Sequence, residues 1–102
     1  MTIFQTLAQT GLPCVYSHFK DKDAPKNPPY LVYIGNGQNT AEADNTIYWS
    51  ENRYQVEYYF TQKNETNEAG IEQALLDAGF IYEKSEDVYI EEEGVFVIYY
   101  YI

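Results

Sequence analysis

The chain has 102 residues, with 16 acidic residues against 6 basic ones and a formal net charge of −10. This length fits one domain, and the negative charge argues against a nucleic-acid backbone or an anionic membrane surface as the natural ligand. A single cysteine excludes an internal disulfide framework and a cysteine-rich zinc site. No apolar run approaches the ~20 residues of a membrane-spanning helix. The first ten residues lack the basic start and long apolar run of a signal peptide, so we expect a cytoplasmic protein.

Tyrosine is unusually abundant, with twelve residues in this short chain. A core of this size cannot hold so many phenols, because each buried hydroxyl needs a hydrogen-bond partner. One interpretation is a β-rich protein, since tyrosine suits a half-buried sheet surface. The other is a surface that contacts another protein, where tyrosine is enriched. The sequence favours neither over the other.

The N-terminal third predicts a helix followed by a loop. Thr2 and Gln5 have the spacing of a capping box, and apolar residues recur on one face of the segment 2–9. A short extended run over 14–19 follows. Residues 20–29 alternate in charge and contain three prolines, which predicts a loop. In this segment the peptide bond before Pro28 or Pro29 could be cis.

The middle of the chain predicts two strands with a long connection between them. Residues 30–34 are bulky and form the first strand. Residues 35–46 begin with Gly-Asn-Gly and continue with small polar residues, which predicts a long loop or an extended arm. The segment 47–60 predicts the longest strand. Its second half alternates between an apolar face and a mixed face that includes Gln55 and Glu57.

A second helix is predicted over 68–78, after a connection at 61–67. Its apolar stripe would face the core, with Glu68, Glu72 and Asp77 toward water, and Gly79 would end it. The buried stripe consists of Ile71, Ala74, Leu75 and Ala78.

The C-terminal segment predicts a pair of strands. The first runs from 80–85 through 86–87 into 88–90, an acidic turn follows at 91–94, and the last strand covers 95–102. The last strand is apolar or aromatic on both faces, and such a strand must be covered on both sides. Two helices would cover one face of the sheet. We therefore expect that something outside the chain covers the other.

Together these elements predict a single α+β domain over 1–102. Two helices would pack on a mostly antiparallel sheet of four to five strands, in the order α-β-β-α-β-β, as a two-layer sandwich.

Residues for catalysis or metal binding are few. His18 is the only histidine, and on one strand it would lie ~13 Å from Cys14, too far for a thiol–imidazole pair. The acidic segment 21–23 lacks the glycine and final glutamate of a calcium loop. The acidic turn at 91–93 is typical of a solvated loop. We therefore predict no catalytic residue, no metal site, no cofactor and no enzymatic activity.

A family resemblance extends over roughly residues 28–102. It rests on the runs PPYLVYIGNGQNTAEADNTIYW and YQVEYYFTQKNETNEAGIEQALLDAGFIYEKSEDVYIEEEGVFVIYYYI. The order is PPY, G-x-G, AD-x-x-x-YW, a Y-x-V-E-Y-Y strand, a helix and a Y-x-x-S-x-D-x-Y hairpin. In this pattern the chain resembles the small tail-completion proteins of long-tailed bacteriophages of Gram-positive bacteria. These are also described as tail-to-head joining or tail-terminator proteins.

The resemblance implies structural work without enzyme activity. Family members have an α+β fold and form a hexameric ring that caps the tail tube and joins it to the head connector. It implies as partners other copies of the chain, a tail tube protein and a connector or stopper protein. DNA would pass nearby without specific binding, no membrane would be involved, and the location would be the virion, with the host cytoplasm during assembly. A negative lumen would repel DNA phosphates.

Exposed strand edges can pair with another chain, which places the expected subunit or partner contacts on the arm and the last strand. The contact residues we predict are Asn36, Gln38, Asn39, Asp44, Asn45, Trp49, Tyr99, Tyr100 and Tyr101. Glu91, Glu92 and Glu93 are the predicted acidic lumen residues. Trp49 could equally pack at a strand start. Two other functions stay open: an adaptor or stopper of the head–tail joint, and an acidic DNA mimic that inhibits a host protein.

Overall fold

The computed structural model describes residues 2–17, 28–43 and 46–102, and within 38–43 and 46–52 it describes the backbone only. These residues form two helices and a six-stranded sheet, which confirms the α+β class. Of the predicted loop at 20–29, residues 20–27 lie outside the described part of the chain. In chain order the elements are α1 (Ile3–Ala8), β1 (Cys14–Tyr16), β2 (Tyr30–Ala43), β3 (Thr46–Phe60), α2 (Glu65–Asp77), β4 (Glu83–Lys84), β5 (Val88–Ile90) and β6 (Val95–Tyr101).

The observed element order is α-β-β-β-α-β-β-β. It therefore has one strand more before α2 and one more after it than the predicted α-β-β-α-β-β. The sheet order is β1-β2-β3-β6-β4, and β5 also pairs with β6. β1 is parallel to β2, with Cys14 opposite Leu31, and the other strand pairs are antiparallel. The sheet is therefore mixed. A three-residue edge strand is too short to show a periodic pattern, which is why the sequence prediction did not count it.

The central hairpin is much longer than its neighbours. β2 continues to Ala43, so that residues 35–43 are strand where the sequence predicted a loop or an arm. Yet β1 pairs with β2 only at 31–33, and β6 pairs with β3 only at 55–60. In the described part of the chain, residues 38–43 and 46–52 pair only with each other. We call this two-stranded end of the hairpin the distal ribbon.

Both helices begin at the caps that their sequences provide. The capping box of α1 forms, with the Gln5 amide donating to Thr2 Oγ1 at 3.1 Å and the Thr2 amide donating to Gln5 Oε1 at 2.9 Å. α2 begins earlier than predicted, because the Asn64 side chain accepts the Asn67 amide at 3.0 Å. Gly79, with φ of +88°, follows the end of α2 as predicted.

The strand register defines two different faces of the sheet. Both helices pack on one face, which we call the helix-covered face. The core between helices and sheet consists of Ile3, Leu7, Leu31, Val56, Tyr58, Phe60, Ile71, Leu75, Ile98 and Tyr100. No helix in the described residues packs on the opposite side, which we call the helix-free face.

The C-terminal elements close the sheet along one edge. β4 and β5 follow one another along the same edge of β6, and the predicted first strand of the pair, over 80–90, is interrupted between them. The predicted turn at 91–94 forms, with the Gly94 amide donating to the Ile90 carbonyl at 2.8 Å. The Pro28–Pro29 bond is cis. Neither helix of the described chain is long and apolar enough to cross a membrane.

Candidate functional site

The helix-free face is an ordered array of side chains on three strands. β3 is central, and its residues at 55, 57 and 59 each have a partner on β2 and another on β6. The three rows across β2, β3 and β6 are Tyr30–Tyr59–Val97, Val32–Glu57–Tyr99 and Ile34–Gln55–Tyr101.

Tyrosine rings form the outer layer of this face. Tyr30 and Tyr59 stack with ring centroids 5.0 Å apart, and Tyr99 and Tyr101 stack at 6.2 Å. The aliphatic Val97 is fully buried although no described helix covers it. The rings and neighbouring strands therefore shield the aliphatic residues beneath them. The rings themselves remain partly accessible, which is typical of surfaces that bind another protein.

A single carboxylate lies at the centre of the array. Tyr59 Oη donates to Glu57 Oε1 at 2.5 Å, and Gln55 Nε2 donates to Glu57 Oε2 at 2.9 Å. Burial and the hydrogen bond to Glu57 raise the pKa of Tyr59, and burial together with the Glu57 charge raises the pKa of Tyr99. Both phenols are therefore neutral at physiological pH. Glu57 is held by neutral donors rather than by a cation.

A second polar cluster lies at the helix-covered side, where the sequence predicted solvent. Glu68 is only 3% exposed, and its two oxygens lie 2.8 Å from Lys63 Nζ and 2.9 Å from Lys84 Nζ. Lys84 also contacts Glu72 at 2.8 Å, and Tyr100 Oη donates to Glu72 at 2.8 Å. The prediction that Glu68 and Glu72 face water is therefore wrong, because both connect α2 to the strands.

The charges of this cluster stabilise one another. Burial opposes the charge on Glu72, but hydrogen bonds from Lys84 and Tyr100 outweigh it and lower the pKa of the carboxyl group. Burial likewise opposes the charge on Lys84, yet its bonds to Glu72 and Glu68 raise its pKa. The arrangement is an ion-pair network that connects β4 to α2 through Lys84. We assign it a structural role.

The predicted contact residues of the arm fall on the distal ribbon or at its root. Asn36 is exposed at the root. Gln38 and Asn39 belong to β2, and Trp49 lies opposite Ala41 on β3, all three placed here by backbone register. Asp44 and Asn45 lie outside the described residues.

The three predicted tyrosines of the last strand do not lie together. Tyr99 and Tyr101 belong to the helix-free face, whereas Tyr100 is fully buried on the opposite face. Tyr100 is therefore not a surface residue, because successive side chains of a strand point to opposite sides.

Sequence reasoning missed Tyr30, Ile34, Glu57 and Tyr59 as site residues. The signal was present in the mixed face of the strand at 47–60. That pattern shows which residues share a face, but it does not show which face the helices leave uncovered.

The acidic turn lies at the other end of the sheet from the distal ribbon. Glu91, Glu92 and Glu93 are exposed between β5 and β6. The turn precedes β6, whose residue Phe96 pairs with Phe60 at the end of β3, and the neighbouring Tyr59 pairs with Tyr30 at the start of β2. The ribbon extends from the end of β2, so the two features are separated by the length of the sheet.

The nucleophile considered from the sequence lies in an unreactive environment. Burial raises the pKa of the Cys14 thiol to about 11, and a protonated thiol is a poor nucleophile. His18 lies outside the described residues. Among the residues that are described, no group of three or more His, Cys, Asp or Glu is arranged to hold a metal ion.

Comparison of the chain with protein-family models, with curated proteins and with solved structures gives no match. Function is therefore inferred from the helix-free face, the distal ribbon and the sequence pattern described above.

Proposed function

We propose that the protein is a structural assembly protein of a bacteriophage, not an enzyme, and that it works by contacting other protein chains. In this proposal a hexameric ring of copies caps the tail tube and joins it to the head connector. The observation that carries the proposal is the tyrosine layer on a sheet face without a helix over it. Its partners would be other copies, the tail tube protein and a connector or stopper protein. Its location would be the head–tail joint of the virion, and the host cytoplasm during assembly.

The chemistry of the helix-free face supports protein contact. Apart from Glu57, its three rows contain only neutral side chains, on a chain whose net charge is −10. Stacked, half-buried tyrosines offer a large apolar area with hydroxyl groups at the rim. Such a surface gains more free energy from burial against another protein than from contact with water.

The acidic turn supports a position beside DNA. We propose that Glu91, Glu92 and Glu93 face the passage through the ring, where their charge would repel phosphate groups. Replacing all three with lysine should slow or block DNA passage without preventing ring formation. DNA ejection and infectivity of reconstituted particles measure this effect, and unchanged infectivity would contradict the assignment.

The decisive experiment measures mass by light scattering, with the protein alone and with purified tail tubes that lack their terminator. We expect a hexamer, or a monomer that binds the tube at the end distal to the tip. Deletion of residues 38–44 is the paired variant and should give a folded monomer that fails to assemble. A monomer that ignores tubes and binds a host DNA-handling protein would support the DNA-mimic alternative. Binding to the connector alone would indicate an adaptor or stopper.

A further inference from the structure

We propose that the distal ribbon of one copy covers the helix-free face of the next copy. This inference rests on the self-association in the proposed function and adds which two surfaces meet. The contact would be heterologous, with two different patches on each subunit. Repeated around an axis, such a contact closes into a ring when the rotation allows it.

The helix-free face is too small to form a stable subunit interface by itself. Three strands at a spacing of about 4.8 Å and three rows of side chains give roughly 300 Å² of projected area. A stable interface buries about 800 Å² on each partner. The covering surface must therefore extend beyond the body of the sheet, as the ribbon does.

The central carboxylate argues against two identical faces stacked together. A two-fold axis through the middle of the face would bring the Glu57 side chains of two copies into one water-poor layer. Each is held by Tyr59 and Gln55, which are neutral, and like charges in such a layer repel strongly. A different surface, without a carboxylate at its centre, fits the face better.

The distal ribbon has that form, because its acidic residues Glu42 and Glu51 lie toward its two ends, and the pairs between them, Thr40–Ser50 and Ala41–Trp49, are uncharged. Its strands are each about 20 Å long, which matches the height of the three rows. A two-stranded hairpin is marginally stable in water unless a third strand or a packed surface supports it, and among the described residues no other strand pairs with this ribbon. In sequence, residues 46–50 are uncharged and contain Ile47, Tyr48 and Trp49. Docking would supply the missing support.

Two variants separate the two halves of the contact. The face variant carries Ile34→Glu and Tyr101→Glu, which place charge on the helix-free face at positions that are exposed or half-buried. The ribbon variant replaces residues 39–51 with Asn-Gly, a two-residue turn that closes the hairpin at the paired residues Gln38 and Asn52. Tyr89→Glu is the matched control, since Tyr89 is 55% exposed and lies outside the face.

Native mass spectrometry and light scattering then measure the mass of each protein and of their mixture. Each variant alone should be a monomer, because each lacks one half of the contact. The mixture should give a one-to-one heterodimer that grows no further, since it contains one intact ribbon and one intact face. The Tyr89→Glu control should assemble like the wild type. Circular dichroism and urea unfolding of each variant establish that it is folded.

Several outcomes would overturn the inference. If the wild type assembles but the folded variants never form a heterodimer, the ribbon does not cover the face, while the proposed function stands. A folded face variant that still self-assembles would likewise show that the ribbon does not cover the helix-free face. A wild type that occupies the end of a tail tube as a single copy would remove the copy-to-copy contact, and with it the ring of the proposed function. A wild type that neither self-associates nor binds tail tubes would contradict both this inference and the proposed function.

Discussion

The two faces of the sheet differ although the same strands build them. On the helix-covered face, Tyr58, Ile98 and Tyr100 are fully buried. On the helix-free face, Tyr59 and Tyr99 are half-buried and surround a carboxylate. The first face supplies the apolar burial that stabilises the fold. We interpret the second as a recognition surface, so that neighbouring residues of one strand have different tasks.

The largest contrast should appear between two leucines of α2. Leu75 is fully buried and Leu76 is 52% exposed. We expect Leu75→Ala to lower the free energy of unfolding by about 2–5 kcal/mol, because it leaves a cavity in the core. Leu76→Ala is the control and should cost less than about 0.5 kcal/mol. Urea unfolding followed by far-ultraviolet circular dichroism measures both, and equal losses would contradict the assigned orientation of α2.

A smaller contrast should separate Tyr100 from Tyr99. Tyr100→Phe removes a hydrogen bond to a charged carboxylate, and we expect a loss of about 1.5–3 kcal/mol in the free energy of unfolding. Tyr99→Phe should change it by less than about 0.5 kcal/mol. The same unfolding experiment measures both, under conditions where the protein is monomeric. If Tyr99→Phe proved the more destabilising, the assignment of faces would be wrong.

The pH dependence of stability should reveal the network at Glu72. Its pKa is lowered in the folded protein from the ordinary value of 4.5 by hydrogen bonds that outweigh burial. The resulting stabilisation is therefore fully present above that value and is lost as the pH falls through the folded-state pKa. We expect the stability difference between wild type and Glu72→Gln to shrink below pH 4.5. A difference that stays constant down to pH 2 would contradict the network.

The smallest effect on stability should come from the helix-free face. Ile34 is 37% exposed, so Ile34→Ser should lower the free energy of unfolding of the monomer by less than about 1 kcal/mol. The same substitution should weaken self-association measurably, as sedimentation equilibrium would show. A large loss of monomer stability with unchanged association would reverse the roles that we assign to the two faces.

Local patterns in the sequence predicted most of the elements. The capping box at Thr2, the stop at Gly79 and the alternation along the strand at 47–60 depend on neighbours close in the chain. The β1 strand was not counted, because its pairing with residues 31–33 is a contact between distant segments. Glu68 was predicted to face water for a similar reason, since Lys84 approaches it only in the folded chain.

The candidate surface was predicted in part. The abundance of tyrosine and the apolar last strand indicated a face in need of cover, and Tyr99 and Tyr101 lie on the helix-free face. Tyr100 was grouped with them, although alternation along a strand separates it. Glu57 and Tyr59 were not selected, because nothing local shows that their side of β3 lacks a helix.

By itself the sequence determined the α+β class, the helix caps and the two alternating sets of residues on each strand. These follow from backbone geometry and from side chains within a few positions of one another. Only the tertiary structure decided that both helices pack on the same face of the sheet and that Glu68 is buried between two lysines. It also decided that the β2–β3 hairpin extends beyond β1 and β6. Those outcomes depend on contacts between residues far apart in the chain, whose free energies no local pattern contains.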